Sequence, residues 1–273
     1  MAHELVCGVD VGSLTSEAVL LKGDEIVSYS IVRTTHDSGE SAKAALEKAL
    51  ALGGIPEKEI SFVVATGYGR VIVPFAQKNV SEISCHAKGA HFIFPSARTV
   101  LDMGGQDCKA IRCDATGRLA SFVMNDKCAA GTGRAIEVIA SLLGVPLEEV
   151  GAISQRFTGE VPRISNVCVL FAKSEILSLM REGAPVEGLL LALCQAVADR
   201  ASVLLKRVEV EKDLVITGGI AKNSGVVRAI GEKLGIDPLI PPEPQIIGAL
   251  GAALFARELL SRRARSSHLA STQ

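Results

Sequence analysis

The sequence predicts an α/β fold of two related lobes, and three observations carry that expectation. Strand-length apolar runs alternate with helix-length amphipathic stretches along nearly the whole chain. An aspartate followed at once by small residues closes a strand twice, at Asp10-Val11-Gly12-Ser13 and at Asp102-Met103-Gly104-Gly105, 92 positions apart. An interval that long, used twice, is the mark of a duplicated lobe and not of a solenoid repeat.

In the first half, Val6 to Asp10 reads as a strand, Val11 to Ser16 as a small-residue turn and Ala18 to Lys22 as a second strand. Gly23-Asp24 turns into a third strand, Ile26 to Val32. A helix over Ser41 to Leu52 is closed by Gly53-Gly54 and Pro56, and a strand follows at Ile60 to Ala65. The meander recurs from Val100 to Ala120, with Lys109 to Cys113 as a strand and a turn at Asp114 to Gly117. Longer helices come next: Ala130 to Leu143, stopped by Gly144 and Pro146; Leu170 to Arg181, stopped by Gly183 and Pro185; and Val186 to Val208. Strand Leu214 to Thr217 leads through Gly218-Gly219 into a helix near Asn223 to Leu234, and Ile247 to Arg262 forms the last helix. The expected division is 1–98 plus 245–262 for one lobe and 99–244 for the other, with a disordered Ser-, Ala- and Arg-rich tail over 263–273.

With 273 residues and 48% apolar content, the chain can bury a large core. Its 29 basic and 30 acidic residues leave a formal charge of -1, so no global field draws it to nucleic acid or an anionic membrane, and the lack of Trp disfavours a base-stacking platform. No apolar run approaches the ~20 residues of a membrane span, and the start lacks a signal-peptide pattern, so a cytoplasmic location is expected. Seven cysteines at irregular spacing suit reduced thiols. Cys7, Cys85, Cys108, Cys113 and Cys194 read as core residues, and His86 and His91 are five apart, off the helical spacing of a metal pair.

Each meander sets a carboxylate at a strand end beside a tight turn, which suits a hydrated cation next to backbone N–H groups that face phosphate. Two such turns can grip one nucleotide from opposite sides. One would be built from Asp10, Gly12 and Ser13, the other from Asp102, Gly104, Gly105, Gln106 and Asp107. Asp10 and Asp102 are expected to hold Mg²⁺ through water, with Gln106 or Asp107 orienting the attacking water. Thr217-Gly218-Gly219 follows an apolar strand, leaves room for a nucleoside and precedes a helix N-terminus. The Walker A and Gly-x-Gly-x-x-Gly patterns are both missing.

These turns resemble the phosphate and adenosine motifs of the actin, heat-shock chaperone and sugar kinase superfamily, which implies a two-lobed actin-like ATPase fold with duplicated ribonuclease H-like domains. Gly8 to Ser16 and Leu101 to Ala110 match the two phosphate motifs, and Val215 to Asn223 the adenosine motif. The resemblance adds Leu14, Gly131, Gly133, Glu137, Asn223 and Gln245 to the expected nucleotide contacts, and ATP to the ligands.

Two thiols stand at helix entries: Cys128 in Asn125-Asp126-Lys127-Cys128-Ala129-Ala130-Gly131-Thr132-Gly133-Arg134, and Cys168 in Ile164-Ser165-Asn166-Val167-Cys168. The positive end of a helix favours thiolate, so both are poised as metal ligands or redox thiols. A 4Fe–4S cluster wants four thiolates, and a two-fold dimer would supply them, one cluster per homodimer. The bland alternative places both cysteines in an apolar core.

Both segments resemble the cluster-binding segments of activators of 2-hydroxyacyl-CoA dehydratases, within the BadF/BadG/BcrA/BcrD ATPase family. Ala65-Thr66-Gly67-Tyr68-Gly69-Arg70, Ser84-Cys85-His86-Ala87 and Gly248-Ala249-Leu250-Gly251-Ala252-Ala253 extend the resemblance over nearly the whole chain. The chain departs from the family where Glu17 replaces a common lysine and Lys173 a common acid. The resemblance implies a homodimer that takes one electron from ferredoxin or flavodoxin and, with ATP hydrolysis, passes it to a dehydratase that removes water from a 2-hydroxyacyl-CoA through a radical. Alternatives are the ATPase subunit of a benzoyl-CoA reductase type enzyme, a sugar or acyl kinase of the same fold without a cluster, and a nucleotide-dependent filament or scaffold protein.

Overall fold

The computed structural model describes residues 4–125, 131–166 and 168–270. Two compact units divide them. One holds the residues up to Pro95, Thr116–Arg118 and those from Gln245 onward; the other holds Ser96–Ala115 and Leu119–Pro244.

The first unit begins with the antiparallel strands β1 (Leu5–Val11), β2 (Thr15–Lys22) and β3 (Glu25–Arg33). Helix α1 (Ser38–Gly53) starts where the Asp37 carboxylate accepts from the amides of Gly39 and Glu40 at 2.8 and 3.0 Å. That cap satisfies amides which have no partner inside the helix. Strand β4 (Ile60–Thr66) then returns parallel to β1, and the short β5 (Lys78–Asn79) lies beside it, in the order β3-β2-β1-β4-β5. β1 is buried along its whole length because it sits at the centre of the sheet. Helix α2 (Glu82–Ile93) completes this part.

The second unit repeats the plan. Strands β6 (Thr99–Met103), β7 (Cys108–Cys113) and β8 (Leu119–Asn125) form the meander. Helices α3 (Gly133–Leu143), α4 (Val150–Ser154), α5 (Val169–Arg181) and α6 (Val186–Val208) come before the parallel strand β9 (Leu214–Thr217) and helix α7 (Ser224–Leu234). The sheet order β8-β7-β6-β9 reproduces β3-β2-β1-β4. Register matches as well: Asp10 lies opposite Glu17 on β2 and Thr66 on β4, while Asp102 lies opposite Lys109 on β7 and Thr217 on β9.

Helix α8 (Ile247–Ala270) belongs to the first unit, and its Gly-Ala-Leu-Gly-Ala-Ala start is explained by contact. A Cβ on Gly251 would sit 1.9 Å from the carbonyl oxygen of Cys85, and one on Gly8 would sit 2.0 Å from that of Ala249. Only small residues let α8 lie this close to α2 and β1. Where a structureless tail was expected from residue 263, the helix runs on to Ala270.

One described helix, α6, is long and apolar enough to cross a membrane, which corrects the expectation that no apolar run reaches that length. Its Leu189, Leu190, Leu193, Val197 and Leu205 are instead buried in the core of the second unit. Cys7, Cys85, Cys108, Cys113 and Cys194 are buried, as their positions in strands and helices led us to expect.

Gly8→Ala is expected to destabilise the first unit by about 1–3 kcal/mol, the cost of forcing a methyl into a packed contact. A lower urea midpoint with an unchanged slope would show it.

Candidate functional site

Each unit ends its central strand on a buried carboxylate. Asp102 is 4% exposed, and the ammonium of Lys109, also buried, lies 3.4 Å from its Oδ2 and 2.8 Å from Oδ2 of Asp107. Lysine is seldom buried unless paired, and here one cation serves two acids. In the turn between them the Gly104 amide donates to the Asp107 carbonyl at 3.0 Å, and a Cβ on Gly104 would come within 2.7 Å of the Asp107 carboxylate. Gly104 and Gly105 are half-buried and Gln106 is exposed, so the turn presents Gln106 to solvent and turns Asp107 inward.

In the first unit Asp10 is 7% exposed, and Gly12, Ser13 and Leu14 form the half-buried turn behind it. That turn is fixed by the Gly12 amide donating to the Thr15 carbonyl at 3.0 Å and by the Thr34 hydroxyl donating to the Gly12 carbonyl at 2.9 Å. Gln245 Nε2 reaches the Thr15 hydroxyl at 3.4 Å.

A glycine seals each aspartate. Gly67 after β4 has φ 83°, and a Cβ there would lie 2.4 Å from Asp10 Oδ1; Gly218 after β9 has φ 82°, and a Cβ would lie 2.9 Å from Asp102 Oδ1. Both the backbone angle and the lack of room require glycine. Thr66-Gly67 is therefore the counterpart in the first unit of Thr217-Gly218, an equivalence that sequence reading passed over. Gly219 is exposed beside Gly218. Asn223 caps α7, its Oδ1 accepting from the amides of Gly225 and Val226 at 3.1 Å each, while its Nδ2 is buried without a hydrogen-bond partner among the described residues.

The second turn is tied to the start of α3. The amide of Gly133 donates to the carbonyl of Gly104 at 3.0 Å, and that of Arg134 to the carbonyl of Gly105 at 2.8 Å. Glu137, one turn on, pairs with Arg134 at 3.0 Å. Cys128 lies outside the described residues. Cys168 is the N-cap of α5, in extended conformation, and it lines a cleft shared with Gly131, Ala135, Asn166 and Val197. The segment that follows Cys128 and the thiol of Cys168 are thus brought to one place.

Cys168 is the half-buried member of the described cysteines. Burial pushes the thiols of Cys7, Cys85, Cys108 and Cys113 above their ordinary value, and that of Cys194 up to about 11. A buried apolar setting disfavours thiolate, the form that binds metal, so Cys168 alone among the described cysteines fits a ligand role. The two departures also have places: Glu17 is buried across from Asp10, and Lys173 is exposed on α5.

The model of the BadF/BadG/BcrA/BcrD ATPase family matches residues 7–256. The chain belongs to that family. It is 47% identical to the activator of lactoyl-CoA dehydratase of Anaerotignum propionicum over 94% of this chain and 98% of that one. The solved activator of the 2-hydroxyisocaproyl-CoA dehydratase from Clostridium difficile, with bound ADPNP, superposes with a TM-score of 0.91 at 40% identity, covering 96% of this chain and 97% of that one. A glucokinase of the ROK family from Streptomyces griseus, at 16% identity and a TM-score of 0.57 over 93% and 99% of the two chains, shares the fold alone. The fold of this family member is accordingly the actin-like ATPase fold with its duplicated sheets.

Sequence reading missed Lys109 and His86. Lys109 was legible, since the 92-residue offset that relates Asp10 to Asp102 also relates Glu17 to Lys109. His86 was not, because only packing brings α2 to Asp10.

Two outcomes are expected. Lys109→Met removes the cation that two buried carboxylates share and destabilises the second unit by about 3–5 kcal/mol in urea unfolding. At about pH 8 a disulfide reagent labels Cys168 in folded, iron-free protein within minutes, while the five buried thiols, held protonated by burial, react only on unfolding; peptide mapping of the labelled protein separates them.

Proposed function

We propose that this chain is an ATP-dependent one-electron activator of a 2-hydroxyacyl-CoA dehydratase and works as a homodimer around one shared 4Fe–4S cluster. The observation that carries the reading is the link between the two kinds of site in the second unit. The start of α3, which follows Cys128, is hydrogen-bonded to the Gly104–Gly105 turn and shares a cleft with Cys168. A change in the turn therefore has a hydrogen-bonded and covalent route to the segment of Cys128, and through the shared cleft a packing route to that of Cys168. The names of the relatives, activators of lactoyl-CoA and 2-hydroxyisocaproyl-CoA dehydratases, support the partner class.

The chain's residues take these roles in the proposal. Asp10 and Asp102 hold Mg²⁺ through water. Backbone amides of Gly12, Ser13, Leu14, Gly104 and Gly105 take the phosphates, while Thr217, Gly218, Gly219, Asn223 and Gln245 border the nucleoside. Gly131, Gly133 and Glu137 sit on the segment that links the second turn to Cys128. The exposed Gln106 orients the attacking water, because Asp107 is engaged by Lys109 at 2.8 Å. Cys128 and Cys168 of each copy ligate the cluster, and the cluster when bound supplies a one-electron redox centre. The helix N-termini at α3 and α5 favour its negative charge. A ferredoxin or flavodoxin is the proposed electron donor.

Iron and acid-labile sulfide on protein purified without oxygen should come to about two of each per chain in a dimer, as one four-iron cluster shared by two chains requires. Cys128→Ser is expected to lose iron, visible absorption and dimer mass together, and unchanged iron content would refute the assignment. Asp102→Asn is expected to lower ATP hydrolysis about 10²-fold, and full retention would remove Asp102 from the nucleotide site.

A further inference from the structure

The two duplicated aspartates differ in what stands across from them. Asp102 faces Lys109 on the neighbouring strand, whereas the matching position opposite Asp10 is the acid Glu17. In the first unit the nitrogen group comes from another element. His86, on α2 and 5% exposed, brings Nε2 to 3.9 Å from Asp10 Oδ2.

Three contacts set that approach. A Cβ on Gly248, in the first turn of α8, would lie 1.9 Å from Asp10 Oδ2 and 2.9 Å from His86 Nε2, so the carboxylate and the imidazole border the same bare stretch of helix. Gly251 lies under the carbonyl of Cys85, the residue before His86, where a Cβ would come within 1.9 Å. Gly89, one turn further along α2, abuts the carbonyl of Ile247, where a Cβ would come within 2.3 Å. α2 and α8 are therefore locked at backbone contact on both sides of His86, which fixes the backbone from which the imidazole reaches Asp10.

We infer that His86 is the positioning residue of Asp10, the first unit's counterpart of Lys109, and that with the first turn of α8 it orients the Asp10 carboxylate toward metal-bound nucleotide. The inference rests on the reading that Asp10 serves ATP hydrolysis. At 3.9 Å the pair is beyond a direct hydrogen bond and within reach of one after a small closure, as is common for site groups before ligand binds. His86 acts through Asp10 and needs no contact with the nucleotide.

The test compares His86→Gln, whose amide nitrogen falls near the place of Nε2, with His86→Asn, whose amide stops short of it. Mn²⁺ binding in the presence of a non-hydrolysable ATP analogue, followed by electron paramagnetic resonance, gives a readout apart from turnover. His86→Asn is expected to bind Mn²⁺ about tenfold more weakly and to raise the Mg²⁺ needed for half-maximal hydrolysis by a similar factor, with kcat changed less; His86→Gln should stay within about twofold of the parent. Parent-like Mn²⁺ affinity in His86→Asn, or equal loss in both variants, would overturn the inference. Should His86→Asn fail to fold, His86→Leu, which keeps the volume and removes the donor, puts the same question. Asp10→Asn separates the two levels. Full hydrolysis by that variant would sink the underlying reading, while its loss beside a parent-like His86→Asn would sink the role of His86 alone.

Discussion

A carboxylate that folding removes from water is costly unless charge or dipoles compensate it, and each sheet of this protein ends its central strand on one. Much around Asp10 and Asp102 answers that constraint. Lys109 is buried only because two acids need it. Gly67 and Gly218 follow the parallel strands because no side chain fits against the carboxylates, and Gly248 opens the first turn of α8 for the same reason. The positive end of that helix then faces Asp10. Removing the acids would relax these requirements, which is why residues far apart in sequence gather around one aspartate in each unit.

The second unit adds a mechanical consequence. The carbonyls of Gly104 and Gly105 accept from the first amides of α3, so the turn that carries Gln106 cannot move without pulling on the helix start. Amides at a helix N-terminus have no partner inside the helix, and here the turn supplies two of them. Gly131, at φ 85° against the side chain of Arg200, holds the same segment against α6. Backbone contacts of this kind transmit displacement better than long side chains, because they have no rotamers in which to absorb it.

Much of the fold was legible because its signals are local. Helix α6 was read to its end residues, and β9 likewise, since Pro185 and the apolar run Leu214 to Thr217 mark them directly. α1 begins three residues earlier than its periodicity suggests, because Asp37 caps it from outside the amphipathic stretch. The continuation of α8 past Arg262 was missed for a physical reason: the run Arg263-Ala264-Arg265-Ser266-Ser267 carries no apolar period, yet it is no barrier to a helix already nucleated. At the site, the two acidic turns and Cys168 at a helix entry could be read from residue type and spacing. Lys109 needed the duplication to be followed seven residues beyond each aspartate, and His86 needed the packing of α2 on α8, which no local pattern encodes.

The two units differ in what lies between the third and fourth strands of the shared plan. Between β3 and β4 the chain builds a single α-helix, whereas between β8 and β9 it builds α3, α4, α5 and α6, and Cys168 stands among them. The shared plan of sheet, acidic turn and sealing glycine is kept in both units, so the added helices leave that geometry in place. A thiol added to the buried sheet would meet what Cys7 and Cys108 meet, a setting that holds it protonated. A thiol at the start of an added helix, as Cys168 is at α5, stays half-buried at the positive end of that helix. The added helices thus set Cys168 at a helix entry beside the segment that is hydrogen-bonded to the Gly104–Gly105 turn.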